Sequence, residues 1–255
     1  MVKPLSRLAD VNQFIAASRA ARSADDLRAL MEPITQEMGF HGYALFQHVK
    51  HVTWKHRRAL AISNFSRSWL EHFFSERMYA YDPVLLASQR TAIGFRFDEI
   101  ATLVDLNERQ RELMSAARRA GIANGFCVPI HIPGETNGIC SFVVRDDAPL
   151  PLENLPMAQL VGCFAYEAAR QLLLAGDKIV RPAFSQPLTT RQLECIVFVA
   201  RGKTDWEISQ ILGLKEDTVT EHLDEARRRC GVSRRTELVV HTLFNGDLTF
   251  NDIIN

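Results

Sequence analysis

The sequence carries no net charge, because 30 Lys and Arg are balanced by 30 Asp and Glu over 255 residues. No global field therefore draws the chain to nucleic acid or to a membrane surface, and any basic surface has to be local. No apolar run reaches the ~18 residues of a membrane helix, so none is expected. The start, MVKPLSRLADVNQ, lacks the apolar core of a secretory signal, which makes the cytoplasm the expected compartment. The cysteines are few and scattered: Cys127, Cys140, Cys163, Cys195 and Cys230. Their odd number and the absence of any C-x-x-C pair argue against a disulfide framework and against a zinc site. They are expected to be small core residues. Gly-rich phosphate loops, a G-x-S-x-G elbow and H-x-x-E-H zinc motifs are all missing, as are internal repeats and low-complexity tracts. No cofactor and no metal is expected. His48, His51 and His56 in HVKHVTWKH have no carboxylate or cysteine beside them, so a solvated hairpin is preferred there to a metal site.

What is present is the composition of a soluble globular protein, 47% hydrophobic and 24% charged, with enough length for two cores. Helical spacing predicts helices over 8–21 and 24–38, the second capped by Ser23 with Asp25 and Asp26 in its first turn. GYALFQHV (42–49) and RALAIS (58–63) read as strands, 66–76 as a helix, and IGFRF (93–97) as a short extended stretch. A helix over 107–119 ends at Gly121. Strands GFCVPIHI (125–132) and GICSFVVR (138–145) follow, joined by the turn residues PGETN, and then a long helix over 153–174. This order implies an α+β fold, an α/β/α sandwich around a mostly antiparallel sheet. Residues 175–187, with Pro182 and Pro187 and no clear period, read as a linker.

Beyond the linker, four helices fill 188–255: about 189–200, 204–212, 217–230 and 233–244. Thr189 with Gln192, and Thr204 with Glu207, have the spacing of capping boxes. Gly202 stops the first of these helices and Gly213 the second. A short helix, a tight glycine turn and a longer helix make a helix-turn-helix. Val219, Leu223, Ala226 and Cys230 form the buried stripe of the longer helix, which leaves Thr220, Glu221, Asp224, Arg227 and Arg228 facing outward. A plain helical bundle docked on the first domain is the alternative reading of the same spacing.

The stretch LTTRQLECIVFVARGKTDWEISQILGLKEDTVTEHLDEARRRCGVSRRTELV (188–239) resembles the DNA-binding domain of LuxR-type regulators. The shared pattern is L-T-x-R-E, G-K-T-x-x-E-I-A, T-V-x-x-H and a basic helix end. Gln192 replaces the usual glutamate, and a capping box accepts either. Lys215 replaces the serine that caps the recognition helix in the family, which transfers the expected cap to Asp217. The resemblance extends into the first domain. WLEHFFSERMYAYDP places Trp69, Asp82 and Pro83 at the spacing of the quorum-sensing branch, which binds N-acyl-homoserine lactones, and Gly125 fits as well. An indole N–H only donates and suits a lactone carbonyl; a carboxylate only accepts and suits an amide N–H. Phe65 and Phe73 stand where the family has tyrosines, and Phe97 stands at its second tryptophan. Ser141, at a position that often lines the family's pocket, is a possible replacement donor. The implied site is Trp69, Asp82, Phe65, Phe73, Phe97 and Ser141. Its occupant is an acyl-homoserine lactone, a different small amphiphile, or nothing if the phenylalanines simply close a core.

For DNA the resemblance implies Lys203, Thr204, Thr218, Thr220, Glu221, His222, Asp224, Arg227 and Arg228. Nine Lys and Arg stand against eleven Asp and Glu from Pro187 to Asn255, a poor balance for neutralising phosphates. The charges are segregated, however. Glu216, Asp217 and Glu221 lie toward the positive end of the recognition helix, and Arg227, Arg228 and Arg229 at its other end. Lys203 and Thr204 are placed to hold the DNA backbone, which leaves base edges to Thr220, Glu221 and Asp224. The expected organisation is a ligand-binding and dimerisation domain over 1–174, the linker, and a helix-turn-helix domain over 188–255. The expected function is a ligand-responsive regulator of quorum sensing, homodimeric, with double-stranded DNA and a small-molecule autoinducer as partners. The alternative is a sensor that pairs with another regulator instead of reading DNA. Asp82 as the base of a lactone hydrolase would need oxyanion donors that the sequence does not indicate, so no enzyme activity is expected.

Overall fold

The computed structural model of the protein describes residues 4–48, 60–132, 135–145, 148–176 and 187–254. The chain divides into two compact units, which part between residues 179 and 180. The first contains α1 (Pro4–Ala20), α2 (Ala24–Glu37), β1 (Gly42–Gln47), β2 (Ala61–Ser63), α3 (Arg67–Ser75) and α4 (Pro83–Ala87). It continues with β3 (Phe95–Arg96), α5 (Ile100–Leu103), α6 (Glu108–Arg119), β4 (Asn124–Ile130), β5 (Gly138–Val144) and α7 (Leu155–Gly176). The second contains α8 (Thr190–Ala200), α9 (Asp205–Leu212), α10 (Glu216–Cys230), α11 (Arg235–Asn245) and α12 (Phe250–Ile254).

The strands form one antiparallel sheet in the order β2-β1-β5-β4-β3. Side chains alternate between its faces. Tyr43, Leu45, Phe126, Val128, Cys140, Phe142 and Val144 enter the main core, which α1, α2 and α7 cover. Ala44, Phe46, Cys127, Ile139, Ser141 and Val143 take the opposite face, toward the layer of α3 to α6. The fold is therefore an α/β/α sandwich, and both faces of the central strands are buried. β5 shows this directly, since every one of its residues is buried. Of the five cysteines, all free, four are buried and Cys163 is half-buried.

Local chemistry sets most boundaries. Ser23 accepts from Asp26 N at 3.1 Å while the Asp26 carboxylate accepts from Ser23 N at 3.0 Å, a complete capping box at the start of α2. α1 begins at Pro4 rather than near residue 8, because proline is tolerated in a first helical turn, where its missing N–H would be unpaired anyway. Within 58–63 the strand is Ala61–Ser63, which pairs with β1, and Leu60 O accepts from Gln47 N at 3.1 Å just before it; residues 58 and 59 lie outside the described residues. IGFRF is extended only over Phe95–Arg96; Phe97 opens a 3-10 turn that Glu99 holds by accepting from Arg96 N at 2.8 Å. The expectation for the histidines is corrected as well. His48 is buried, not solvated: its Nε2 lies 3.2 Å from Ser88 Oγ and its Nδ1 3.4 Å from Gln89 Nε2. Ser88 already donates to Leu85 O at 2.9 Å, so it accepts from His48 Nε2–H. His51 and His56 lie outside the described residues.

The second unit has its own core of Cys195, Ile196, Ile208, Val219, Leu223, Ala226 and Leu238. Both expected capping boxes are present, at Thr189 with Gln192 and at Thr204 with Glu207. Gly213 sits at φ 66°, a left-handed conformation that glycine adopts without strain, and Leu214 N then donates back to Ser209 O at 2.9 Å. The start of α10 differs from expectation. The extended residue before the helix is Lys215, without a side-chain cap, and Asp217 is the second helical residue. The glycine turn sets the start of the helix, so Asp217 arrives too late to cap it and acts there only as a favourable charge.

Candidate functional site

The sheet face opposite α7 does not close completely. Between β1, β5, α3, α4 and α6 lies a cavity of about 340 Å³, at the small end of ligand pockets. All six residues expected in a ligand site line it: Phe65, Trp69, Phe73, Asp82, Phe97 and Ser141. Ser66 caps α3 by accepting from Trp69 N at 3.3 Å, and helical spacing then puts Trp69 and Phe73 on one buried face. Their rings are 6.1 Å apart, and Phe73 stacks on Phe46 at 6.5 Å. After α3 the chain reverses through Arg77, a non-glycine residue in the left-handed region at φ 52°. That reversal leads into α4, which Asp82 caps by accepting from Val84 N at 2.8 Å, with Pro83 in the first helical position. Gly125 is needed close by, since a Cβ there would come within 2.4 Å of Phe142 O and 3.1 Å of the Phe97 ring.

Asp82, Ser141 and the indole of Trp69 supply the cavity's polar side-chain groups away from its solvent side. Ala44, Ser141 and Cys127 are cross-strand neighbours on β1, β5 and β4, a row of small side chains that deepens the floor. The Ser141 hydroxyl is buried and has no hydrogen-bond partner among the described residues other than the weak thiol of Cys127. Burial pushes the Cys127 thiol up to about 12, and the negative charge of Asp82 adds to the rise. Burial likewise raises the Asp82 carboxyl to about 6, against the opposing pull of the Val84 and Leu85 N–H groups. Asp82 nevertheless keeps some accessible surface, as expected of a group in a cavity wall. A desolvated carboxylate and a buried hydroxyl with only a weak partner, lining one cavity, can satisfy an N–H and a carbonyl of a ligand.

Sequence reasoning missed the rest of the lining. Ala44, Phe46, Ile139 and Val143 follow from strand alternation once Ser141 is placed, and Leu113, Met114, Ala117 and Arg118 from helical spacing on α6. Val84 lies on α4, a helix too short to show a period. Ser115 and Arg118 are exposed and mark the solvent side.

In the second unit the stripe Val219, Leu223, Ala226 and Cys230 is buried, and Thr220, Glu221 and Arg228 are exposed on the outer side of α10. Thr218, His222, Asp224 and Arg227 are half-buried beside them. Most of these groups already have partners. Lys203 Nζ lies 3.2 Å from Glu207 Oε1, and Thr204 Oγ1 donates to Glu207 Oε2 at 3.1 Å. These contacts, with the Thr204 N–H foremost, hold the Glu207 carboxyl below its usual range. Arg227 pairs with Asp224, and Arg228 with Glu225 at 2.5 Å. Thr220 donates to Asp205 Oδ2 at 2.9 Å, and Asp205 also pairs with Arg235. The Thr220 proton is thus committed to joining α10 to α9. Glu221 has no hydrogen-bond or ion-pair partner among the described residues.

A sandwich domain with a ligand-sized cavity that offers both an acceptor and donors, followed by a helix-turn-helix, defines a ligand-responsive, DNA-binding transcription regulator. The pattern described as autoinducer binding domain matches residues 23–169, and that of bacterial regulatory proteins, luxR family, matches residues 186–242. The chain belongs to the LuxR family of autoinducer-binding transcription regulators. It is 27% identical over 244 residues to the transcriptional activator protein AhyR of Aeromonas hydrophila, covering 94% of this chain and 92% of that protein. It is 32% identical over 180 residues to the quorum sensing-dependent regulator RpaR of Rhodopseudomonas palustris, 71% of each chain. In fold it is similar to SdiA of Escherichia coli, with a TM-score of 0.58 and 20% identity over 97% of this chain and 99% of that one. The family is one of transcription regulators, which are not enzymes. Among the described residues no helix is long and apolar enough to cross a membrane, and no group of three or more His, Cys, Asp or Glu is placed to hold a metal ion.

Proposed function

We propose that the first unit senses an N-acyl-homoserine lactone, and that the protein acts in the cytoplasm as a homodimer that reads DNA with α10. The carrying observation is the cavity itself, where a buried Ser141 hydroxyl with only the weak Cys127 thiol as partner and a desolvated Asp82 carboxyl line the same apolar-walled space. Asp82 accepts the amide N–H, Ser141 donates to the acyl carbonyl, and the indole N–H of Trp69 donates to the lactone carbonyl. Phe65, Phe73 and Phe97 supply apolar contact. In the second unit Lys203, Thr204, Arg227 and Arg228 hold phosphates, while Thr218, Thr220, Glu221, His222 and Asp224 face the major groove. Thr220 contributes through its lone pairs and methyl group, its proton being committed to Asp205.

Native mass spectrometry of full-length protein, expressed with and without N-octanoyl-homoserine lactone, tests ligand and assembly together. One lactone retained per chain in a dimer is expected; a chain that retains none sinks the lactone reading. Intact lactone after long incubation is expected as well, and its hydrolysis would restore an enzyme reading. In the same assay Phe73→Tyr returns the family's hydroxyl and should tighten binding by about 0.5–1.5 kcal/mol, up to roughly tenfold. Weaker binding would point to a ligand without a carbonyl at that place. A second reading, a sensor that pairs with another regulator and does not bind DNA, is favoured by one observation: Lys203, Arg227 and Arg228 are already paired internally.

A further inference from the structure

We infer that this pocket selects acyl chains that carry no oxygen on the third carbon, and discriminates against 3-oxo and 3-hydroxy chains. The inference rests on the lactone reading and goes further, because it concerns what the walls lack. The cavity holds few polar groups away from its mouth. Asp82 and Ser141 both line it, Ser141 next to Cys127 on the sheet floor, and Trp69 offers one further donor. That set matches one amide and one lactone carbonyl, with nothing left over. The wall around it is Phe46, Phe65, Phe73, Phe97, Ile139 and Val143, none of which carries a side-chain donor or acceptor. Ser115 and Arg118, the other polar lining residues, are exposed on α6, and Ser115 already donates to Arg111 O at 3.0 Å.

The third acyl carbon lies two bonds from the amide carbon, so an oxygen on it enters the cavity with the amide and meets the phenyl wall. A buried carbonyl without a donor retains its full desolvation cost, and a hydroxyl needs both a donor and an acceptor. A bridging water does not repair this, because a buried water needs two or more polar partners and an apolar wall offers none. Three phenylalanines where the family has hydroxyls or an indole N–H thus act together as a filter on the chain.

The test is displacement of N-octanoyl-homoserine lactone from the full-length protein by N-(3-oxooctanoyl)- and N-(3-hydroxyoctanoyl)-homoserine lactone, which match it in chain length. Both should bind at least about tenfold more weakly, the loss expected for one unpartnered buried polar group. Equal or tighter binding of the 3-oxo compound overturns this inference and leaves the lactone reading standing. Failure of all three to bind overturns the lactone reading itself, and this inference with it. Phe65→Tyr, Phe73→Tyr and Phe97→Tyr, each checked for an unchanged melting temperature, address the cause. At least one should narrow the gap between the plain and 3-oxo chains. A gap that persists unchanged in all three would mean that chain width, not the missing donors, is being read, and would overturn the inference as argued.

Discussion

Asp82→Asn should make the ligand-free protein more stable at neutral pH while weakening its grip on ligand. Burial raises the folded carboxyl from 3.8 to about 6, so the protonated form is the one that the folded protein favours. The sign follows from that shift. The stabilising contribution is complete below about pH 4 and is lost as pH rises through about 6, leaving a desolvated charge at neutrality. The corresponding cost is on the order of 2–3 kcal/mol at most. Asparagine keeps an oxygen for Val84 N and caps α4 equally well, but it carries no charge to desolvate. Its melting temperature should therefore exceed that of the parent at about pH 7.5, with the difference shrinking as pH falls through 6 and gone near 4. Ligand affinity should fall by about 1.5–3 kcal/mol, because a charged acceptor for the amide has become a neutral one. A stability gain that ignores pH, or unchanged ligand affinity, would remove Asp82 from the site.

Glu221→Ala should strengthen non-specific DNA binding and blunt sequence preference at one position by about 1–3 kcal/mol. Glu221 is exposed on α10 and free of internal partners among the described residues, so its charge is fully available to whatever the helix meets. In a major groove it is repelled by phosphates and by the acceptor edge of guanine, and attracted only by the amino groups of cytosine or adenine. Removing it lifts the repulsion everywhere and the attraction in one place. Lys203→Ala and Arg228→Ala should do the reverse, weakening binding to all sequences alike and flattening its salt dependence by at most about one unit of slope each, because Glu207 and Glu225 already compete for these charges. Titrations of the full-length variants against two DNA sequences at several salt concentrations separate these cases. If Glu221→Ala changes neither sequence preference nor salt slope, this face of α10 does not meet DNA, and pairing with another regulator becomes the better account.

Much of this fold is legible in the residues themselves. Ser23, Thr189 and Thr204 mark helix starts because capping depends on neighbours three residues away, and the stripe from Val219 to Cys230 marks the buried side of α10 by period alone. The six candidate pocket residues are legible through family spacing, not through physics, and the cavity shows that they converge on one place. Other features leave no local trace. α4, α5 and α12, of five, four and five residues, are too short for a period to emerge. The burial of His48 depends on Ser88 and Gln89, some forty residues away in the chain. The start of α10 at Lys215 departs from side-chain preference because glycine geometry at the preceding turn outweighs it. That Thr220 donates to Asp205 is a tertiary fact, fifteen residues apart, which no helical wheel displays.

The internal pairing in the second unit has a consequence for how it would search a genome. Lys203 has Glu207, Arg227 has Asp224, and Arg228 shares Glu225 with Arg229. Such a domain carries its own counterions. A phosphate approaching any of these bases competes with a carboxylate already in place, and the net gain from random stretches of duplex is small. On the proposed DNA contacts, long dwell on arbitrary DNA, the means by which strongly basic proteins slide to their targets, would therefore be curtailed. What holds such a domain to a site is the fit of a few groups to a few base pairs, so little of the protein is held in reserve on the rest of the chromosome.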